Sequence, residues 1–345
     1  MTDTSIEWCR RPGTRAKTWN PTNGCKEISP GCLHCYAKVF ASRFCGPGLR
    51  YEGLVEKRGK NNLPMWTGEL RFEPHMLGAP LSWRDPCTVF VNSMSDLFMF
   101  PPEVIAAVLG VAAACRNHTF IFLTKRAEAM PRWFEWLDDS VEGAAQEWSG
   151  RDCATSIFEA RDGERVLMLL EHAARVLGGD SKDERDRWFA RLFDRLGDKM
   201  VWPLPNVWLG VTCEDRKHGL PRLDFLRSIE AAVRLVSFEP LLEDLGNVDL
   251  TGIDWSIVGC ESGHGARPCD VEWIRRLRGQ SRRAGAAFFV KQATEASEVV
   301  YRGTALGRRP VVTAGEGSKL KGGGVIGAPY LDGQQYLEFP TPRAS

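Results

Sequence analysis

Three cysteines, Cys25, Cys32 and Cys35, fall within eleven positions of the stretch NPTNGCKEISPGCLHCYA, residues 20–37. A Cys-x2-Cys pair suits any tetrahedral thiolate metal, so the pair does not separate zinc from iron and sulfur. The informative part is three thiols with no obvious fourth ligand. A closed structural zinc site needs another donor nearby, and the candidates are His34, inside the pair, and Cys45, ten residues on. If the fourth position stays open, an iron–sulfur cluster can bind a small molecule at its unligated iron, and the triplet becomes an active site. The other eight cysteines are scattered, and an odd total of eleven in 345 residues fits reduced thiols better than a disulfide scaffold.

Such a loop needs a rigid frame. No fixed-period repeat of residue identity occurs, but short β-rich runs ending in polar residues alternate with amphipathic stretches, the pattern of parallel βα units. The runs are KTWN (17–20), ELRFE (69–73), TVFVNS (88–93), TFIFLTK (119–125), NVWLGVT (206–212), VRLVSFE (233–239), DWSIVGCE (254–261) and AFFVKQ (287–292). Continuous apolar character, as in Phe120 to Leu123, marks strands covered on both faces. Helical patterns fill 35–44, 101–115, 127–137, 222–230 and 271–284. Eight strands with interleaved helices predict an α/β fold, a TIM-like (βα)-barrel, complete or partly open, formed by 1–137 and 204–295.

Residues 138–203 are too many for a loop and read as an inserted helical subdomain. SKDERDRWFARLFDRL opens on a capping box, Ser181 with Glu184, and puts Trp188, Leu192, Phe193 and Leu196 on one face. From 296 to 345 the chain is Gly-rich and reads as a loop-rich C-terminal extension partly covering the barrel mouth.

Strands of a barrel aim their C-terminal ends at the active site. The residues closing the runs are Asn92, Ser93, Ser95 and Asp96; Thr124, Lys125 and Arg126; Thr212, Glu214 and Asp215; Glu239; Glu261 and Ser262; and Lys291 and Gln292. Any one of them can be loop solvation or a helix cap; together they collect charge behind apolar runs.

The chain has 43% hydrophobic residues and a net charge of +1, so it builds a sizeable core and has no global attraction to nucleic acid or membrane. No run of about 18 uncharged apolar residues occurs, and MTDTSIEWCRRPG lacks the order of a signal peptide, which predicts a cytoplasmic protein with no membrane partner. Charge is locally uneven: Arg275, Arg276, Arg278, Arg282 and Arg283 share one predicted helix, either a solvated face or a phosphate-contacting patch. GCESGHG (259–265) only loosely resembles a phosphate loop, and no GxxxxGK[ST], HExxH or GxSxG is present.

The cysteine loop resembles that of the radical S-adenosylmethionine superfamily, whose usual signature is Cys-x3-Cys-x2-Cys followed by an aromatic residue. Here the first interval is longer by three, and Tyr36 is the aromatic. A closer resemblance covers nearly the whole chain. IEWCRRPGTRAKTWNPTNGC, VFVNSMSDLF, HTFIFLTKR, PLPNVWLGVTCED, VRLVSFEPLL and DWSIVGCESGHGARP look like the three-cysteine-motif family of phage and prophage genomes, catalogued as a domain of unknown function; residues 138–200 match it poorly.

These resemblances imply a 4Fe-4S cluster on Cys25, Cys32 and Cys35 that binds S-adenosyl-L-methionine and generates a 5′-deoxyadenosyl radical for hydrogen abstraction. By analogy, Tyr36 belongs to the cofactor site; Asn92, Ser93 and Asp96 take the ammonium, Lys125 or Arg126 the carboxylate, and Thr212 and Glu214 the ribose. Glu239, Glu261 and Lys291 are the candidate catalytic groups nearer the substrate. An external one-electron donor such as flavodoxin or ferredoxin is implied. The phage resemblance, the arginine helix and twelve tryptophans suggest a nucleotide or a base in nucleic acid as substrate. Two other classes compete: a zinc-stabilised binding module using Cys45 or His34 as fourth ligand, and a barrel hydrolase using Glu239 and Glu261 as a carboxylate pair.

Overall fold

The structure, a computed structural model, describes residues 3–59, 62–148, 161–197, 200–261, 266–294, 325–327, 330–332 and 334–343. Seven of its strands run parallel: β1 (Arg15–Trp19), β2 (Cys87–Val91), β3 (Thr119–Thr124), β4 (Val207–Thr212), β5 (Val233–Phe238), β6 (Trp255–Gly259) and β7 (Ala287–Thr294). They lie side by side in chain order, and a short antiparallel strand, β8 (Val325–Gly327), extends the β7 edge.

The sheet is curled but open, a half-barrel whose β1 and β8 edges do not pair with each other. This corrects the (βα)-barrel expectation. The expected second strand, ELRFE, contributes only Arg71–Phe72, which pairs antiparallel with Thr22–Asn23 outside the main sheet. Its alternating charges, Glu69, Arg71 and Glu73, cannot be covered on two faces as the other runs are, so β1 pairs directly with β2.

Alternation along each strand sends side chains to two separate cores. The convex face packs Val89, Phe122, Leu209, Val236 and Val290 under helices. The concave face stacks Phe90, Ile121, Trp208, Leu235, Trp255 and Phe289. Chain segments far apart in sequence fill this concavity from below. Trp8 meets Phe90 edge-on at 4.8 Å, and Phe339 lies 5.5 Å from Trp255.

Of the helices, α1 (Tyr36–Ala41) follows the cysteines directly and α2 (Pro102–Ala114) covers the sheet. Pro102 at the first turn has no N–H to satisfy, and ten of the thirteen α2 residues are buried. The stretch after β3 forms α3 (Ala129–Trp148), α4 (Arg161–Gly178) and α5 (Lys182–Leu196). Ser181 Oγ accepts the Glu184 N–H at 3.3 Å, and Leu192 and Leu196 join the convex core with Val166, Leu169, Leu170 and Ala173 of α4. Two further helices are α6 (Arg222–Arg227) and α7 (Val271–Ala284), the latter capped by Asp270, whose side chain accepts the Glu272 N–H. Ser262 and the glycine-rich stretch 262–265, like most of the extension from 296, lie outside the described residues.

Helices α2 and α4 approach backbone to backbone at Gly110, where an added Cβ would sit 2.1 Å from the Leu169 carbonyl oxygen. Alanine gains about 1 kcal/mol of helix propensity, but overpacking against backbone costs roughly 1–3 kcal/mol. Gly110→Ala is expected to lower the urea midpoint at unchanged m-value; a raised midpoint would show that the helices separate freely.

Candidate functional site

Side chains continuing the concave face beyond its apolar layer are Asn92, Lys125, Thr212, Glu214, Glu239 and Lys291, two, four or six positions past Phe90, Leu123, Trp208, Leu235 and Phe289. They sit under the cysteine loop, and two of them, Lys125 and Glu214, hold it through Ser29.

Glu214 is the central anchor. Fully buried, it receives Lys125 Nζ at 2.8 Å and Arg222 Nη1 at 2.7 Å, and the Ser29 hydroxyl of the cysteine loop donates to it. Burial pushes its carboxyl up, but Lys125 and Arg222 outweigh that and hold it at about 2. Gly31 lies directly on this ion pair: a Cβ there would stand 2.7 Å from Lys125 Nζ. Thr212 is buried and its carbonyl accepts from Arg222.

A second clamp runs through Asp96. Its carboxylate accepts from Thr124 Oγ1 (2.7 Å), the N–H groups of Phe98 and Lys125, and Arg126 Nη1 (3.0 Å). Arg126 in turn donates to the Lys26 carbonyl, next to Cys25. A third clamp is Glu261. It accepts from Arg267 Nε and from His34 Nδ1, each at 2.9 Å, while Arg267 Nη2 reaches the Pro30 carbonyl at 3.0 Å. Burial pushes Glu261 up, but the Arg267 hydrogen bonds, with His34, hold it at about 2. Inside the loop, buried Lys38 pairs with Glu27.

Lys125, Arg126, Asp96, Glu214 and Glu261 are thus neutralised within the chain, and their hydrogen bonds position the cysteine loop. Their location at the strand ends was readable from the apolar runs. Their partners Ser29, Arg222 and Arg267 were not, because they sit on turns and helix starts with no periodic signal. Glu261 and Glu239 are paired separately, the former with Arg267 and His34, the latter with Lys291.

The thiols sit where this framework puts them. Cys25 and Cys35 pack against Ala37, Ala41, Tyr51, Leu54 and Trp66. Burial pushes Cys25 up to about 12, with Asp96 and the neighbouring Cys35 and Cys32 adding to the shift. Burial also raises Cys35, although its sulfur accepts the Lys38 and Ala37 N–H groups at the start of α1. Among the described residues no three Cys, His, Asp or Glu side chains already form the cage of a single metal ion. The two candidate fourth ligands are occupied: His34 faces Glu261, and the Cys45 thiol donates to the Ser42 carbonyl at 3.3 Å.

Two polar groupings remain at the mouth of the curled sheet beneath the cysteine loop, the chamber of this half-barrel. Asn92, 5% exposed and in the left-handed region at φ 58°, has neither amide atom hydrogen-bonded. Beside it Ser93 donates to Asn20 Oδ1 at 3.1 Å, and the Tyr36 hydroxyl donates to the Ser93 carbonyl at 2.9 Å. Across the chamber Lys291 Nζ stands 3.0 Å from Glu239 Oε1 without hydrogen-bond alignment, while Ser237 donates to Glu239 Oε2 at 2.9 Å. Burial pulls Lys291 down, but Glu239 outweighs it and keeps the ammonium charged. Glu7, from the N-terminal segment, lies within electrostatic reach of both, and burial raises its carboxyl; no sequence motif pointed to it.

The arginine helix presents a solvent-facing, largely ion-paired surface. Arg275 and Arg278 bind Asp332, Arg278 also reaches the Tyr336 hydroxyl, and Arg276 binds Asp244. Three of its five arginines therefore serve the fold.

The chain belongs to the family described as protein of unknown function (DUF5131), which it matches over residues 3–340. No curated protein and no solved structure matches it. No helix among the described residues is long and apolar enough to cross a membrane.

Glu214 and Glu261 both titrate below the ordinary glutamate value of 4.5. Their contribution to stability is complete above that value and is lost as pH falls toward about 2. Amide exchange across residues 26–35 is therefore expected to rise in that window. Glu214→Gln, which leaves Lys125 and Arg222 without a carboxylate, is expected to cost roughly 3–5 kcal/mol and to flatten the acid limb of the stability profile. An unchanged acid limb would show that Glu214 is not the anchor.

Proposed function

We propose that the protein is a radical S-adenosylmethionine enzyme in which Cys25, Cys32 and Cys35 hold a 4Fe-4S cluster. The observation that carries this reading is the three-thiol loop itself, pinned over the strand ends while His34 and Cys45 are engaged elsewhere. That leaves three protein ligands and one position for an exchangeable molecule. When bound, the reduced cluster supplies the electron that cleaves adenosylmethionine, and the resulting 5′-deoxyadenosyl radical takes a hydrogen atom from a substrate.

The chain's residues fit such a guest. The unpartnered Asn92 amide offers an acceptor to an ammonium and a donor to a carboxylate, which together make up an amino-acid end. Tyr36, fixed to Ser93, stands between the thiols and that amide. Lys125, Arg126 and Asp96 act by holding the loop, so the carboxylate and ammonium contacts first assigned to them pass to Asn92. Glu239 and Lys291 face the chamber as the groups that orient a substrate or move its proton. The partly buried Cys25 and Cys35 thiols must shed protons to bind iron, so cluster loading should increase with pH. The electron comes from an external carrier.

Protein reconstituted anaerobically with iron and sulfide is expected to be brown and to release 5′-deoxyadenosine from adenosylmethionine with dithionite. Cys35→Ala should stay folded, colourless and inactive. Asn92→Ala should raise the adenosylmethionine KM about tenfold at unchanged iron content, the loss expected for hydrogen bonds to charged groups. A colourless protein carrying stoichiometric zinc, with Cys35→Ala unfolded, would replace this reading with a zinc-stabilised module.

A further inference from the structure

Of the ten large apolar side chains exposed among the described residues, seven lie between Ile28 and Leu49. The helix α1 explains how they share a surface. Ala37, Lys38 and Ala41 face inward, so Tyr36, Val39, Phe40 and, beyond the helix end, Phe44 project outward together. Phe40 and Phe44 rings stand 5.4 Å apart, and Phe40 meets Tyr51 edge-on at 6.4 Å. Tyr36, at the head of this stripe, bonds to Ser93 at the end of β2, so the surface runs up to the chamber.

The same stretch is locally basic. Residues 26–58 carry six cations and three carboxylates, an excess of three against +1 for the whole chain. Lys38 and Arg58 are paired, with Glu27 and Glu56. Lys26, Arg43, Arg50 and Lys57 are exposed and have no carboxylate partner among the described residues; Arg50 lies over the Tyr51 ring at 5.6 Å. An apolar patch of this kind marks an interaction site, and its basic rim selects a polyanion. Exposed rings beside unpaired arginines match a single strand, in which each nucleotide offers both a base face and a phosphate. A duplex hides its base faces. The chamber behind the surface, with Glu239 as acceptor and Lys291 as donor, suits the edge of an unstacked base.

We propose that this surface binds single-stranded nucleic acid and presents one base to the chamber. As a statement of substrate class it rests on the radical reading above; as a statement of binding it does not. The near-neutral chain charge is no obstacle, since the excess is concentrated where the aromatics are.

The test is fluorescence anisotropy of a fluorescein-labelled single-stranded DNA 15-mer, its RNA counterpart and the same DNA as duplex, with the full chain under anaerobic conditions. The single strands are expected to bind more tightly than the duplex, with a log–log salt slope of about −3 for four phosphate contacts. Phe40→Ala with Phe44→Ala should weaken binding roughly tenfold or more at an unchanged melting temperature. Arg43→Glu with Arg50→Glu should reduce the slope by about half. No single-strand binding, or binding indifferent to both double variants, would overturn the proposal. So would binding of an acidic protein, lost in the same variants, by a chain that ignores the oligonucleotides. Binding by a chain that never takes up iron would keep the surface and remove the radical reading, and an iron chromophore without binding would do the reverse.

Discussion

A buried carboxylate shared by two cations is what the site depends on. Glu214 has no water around it and is tolerable there only because Lys125 and Arg222 surround it. Once ionised and fixed, it offers its remaining acceptor capacity to Ser29, and with that bond the cysteine loop acquires a place relative to the sheet. Gly31 then has to be a glycine, since the loop runs over the ion pair with no room for a side chain. Asp96 and Glu261 repeat the device from beyond β2 and β6, two strands to either side, so a loop with little regular structure of its own is held at several points by charge-assisted hydrogen bonds.

This arrangement separates two jobs that adjacent residues in a strand end could each have done. Groups that are fully paired make the frame, and groups left unpaired or loosely paired face the chamber. Asn92 belongs to the second set because its strand ends in a left-handed turn that leaves the amide among apolar and backbone atoms. Lys291 and Glu239 belong to it because they keep partial contact with open space, at 21% and 13% side-chain exposure. Below them the Trp208, Trp255 and Phe289 layer gives the chamber a dry floor, on which electrostatic contacts are stronger than in water.

The parts of this picture that depend on local pattern were legible in the sequence. Phe120 to Leu123 could only be a strand covered on both sides, and Ser181 with Glu184 does start a helix. The cysteine loop stood out by spacing alone. Legibility ended where a residue's role depends on a distant partner. Arg275 and Arg278 read as either a solvated face or a phosphate-contacting patch, because Asp332, which pairs with both, is more than fifty positions on. Strand closure failed for a related reason: ELRFE has enough apolar residues for a strand, but whether a barrel closes is decided by two-sided cover, and its charges deny it that. Glu7 gave no signal because its significance comes only from Glu239 and Lys291.

The open edge of the half-barrel also orders events in time. Its floor combines Trp8 with Phe339, and Arg343 ties the far end to Asp254 at 2.9 Å. During synthesis the amino-terminal half emerges first, so the thiols of residues 25–35 are exposed to solvent long before the last wedge of that floor has left the ribosome. The concave core is therefore completed last, by Phe339 and Arg343, around a loop whose cysteines have stood in solvent for most of the synthesis.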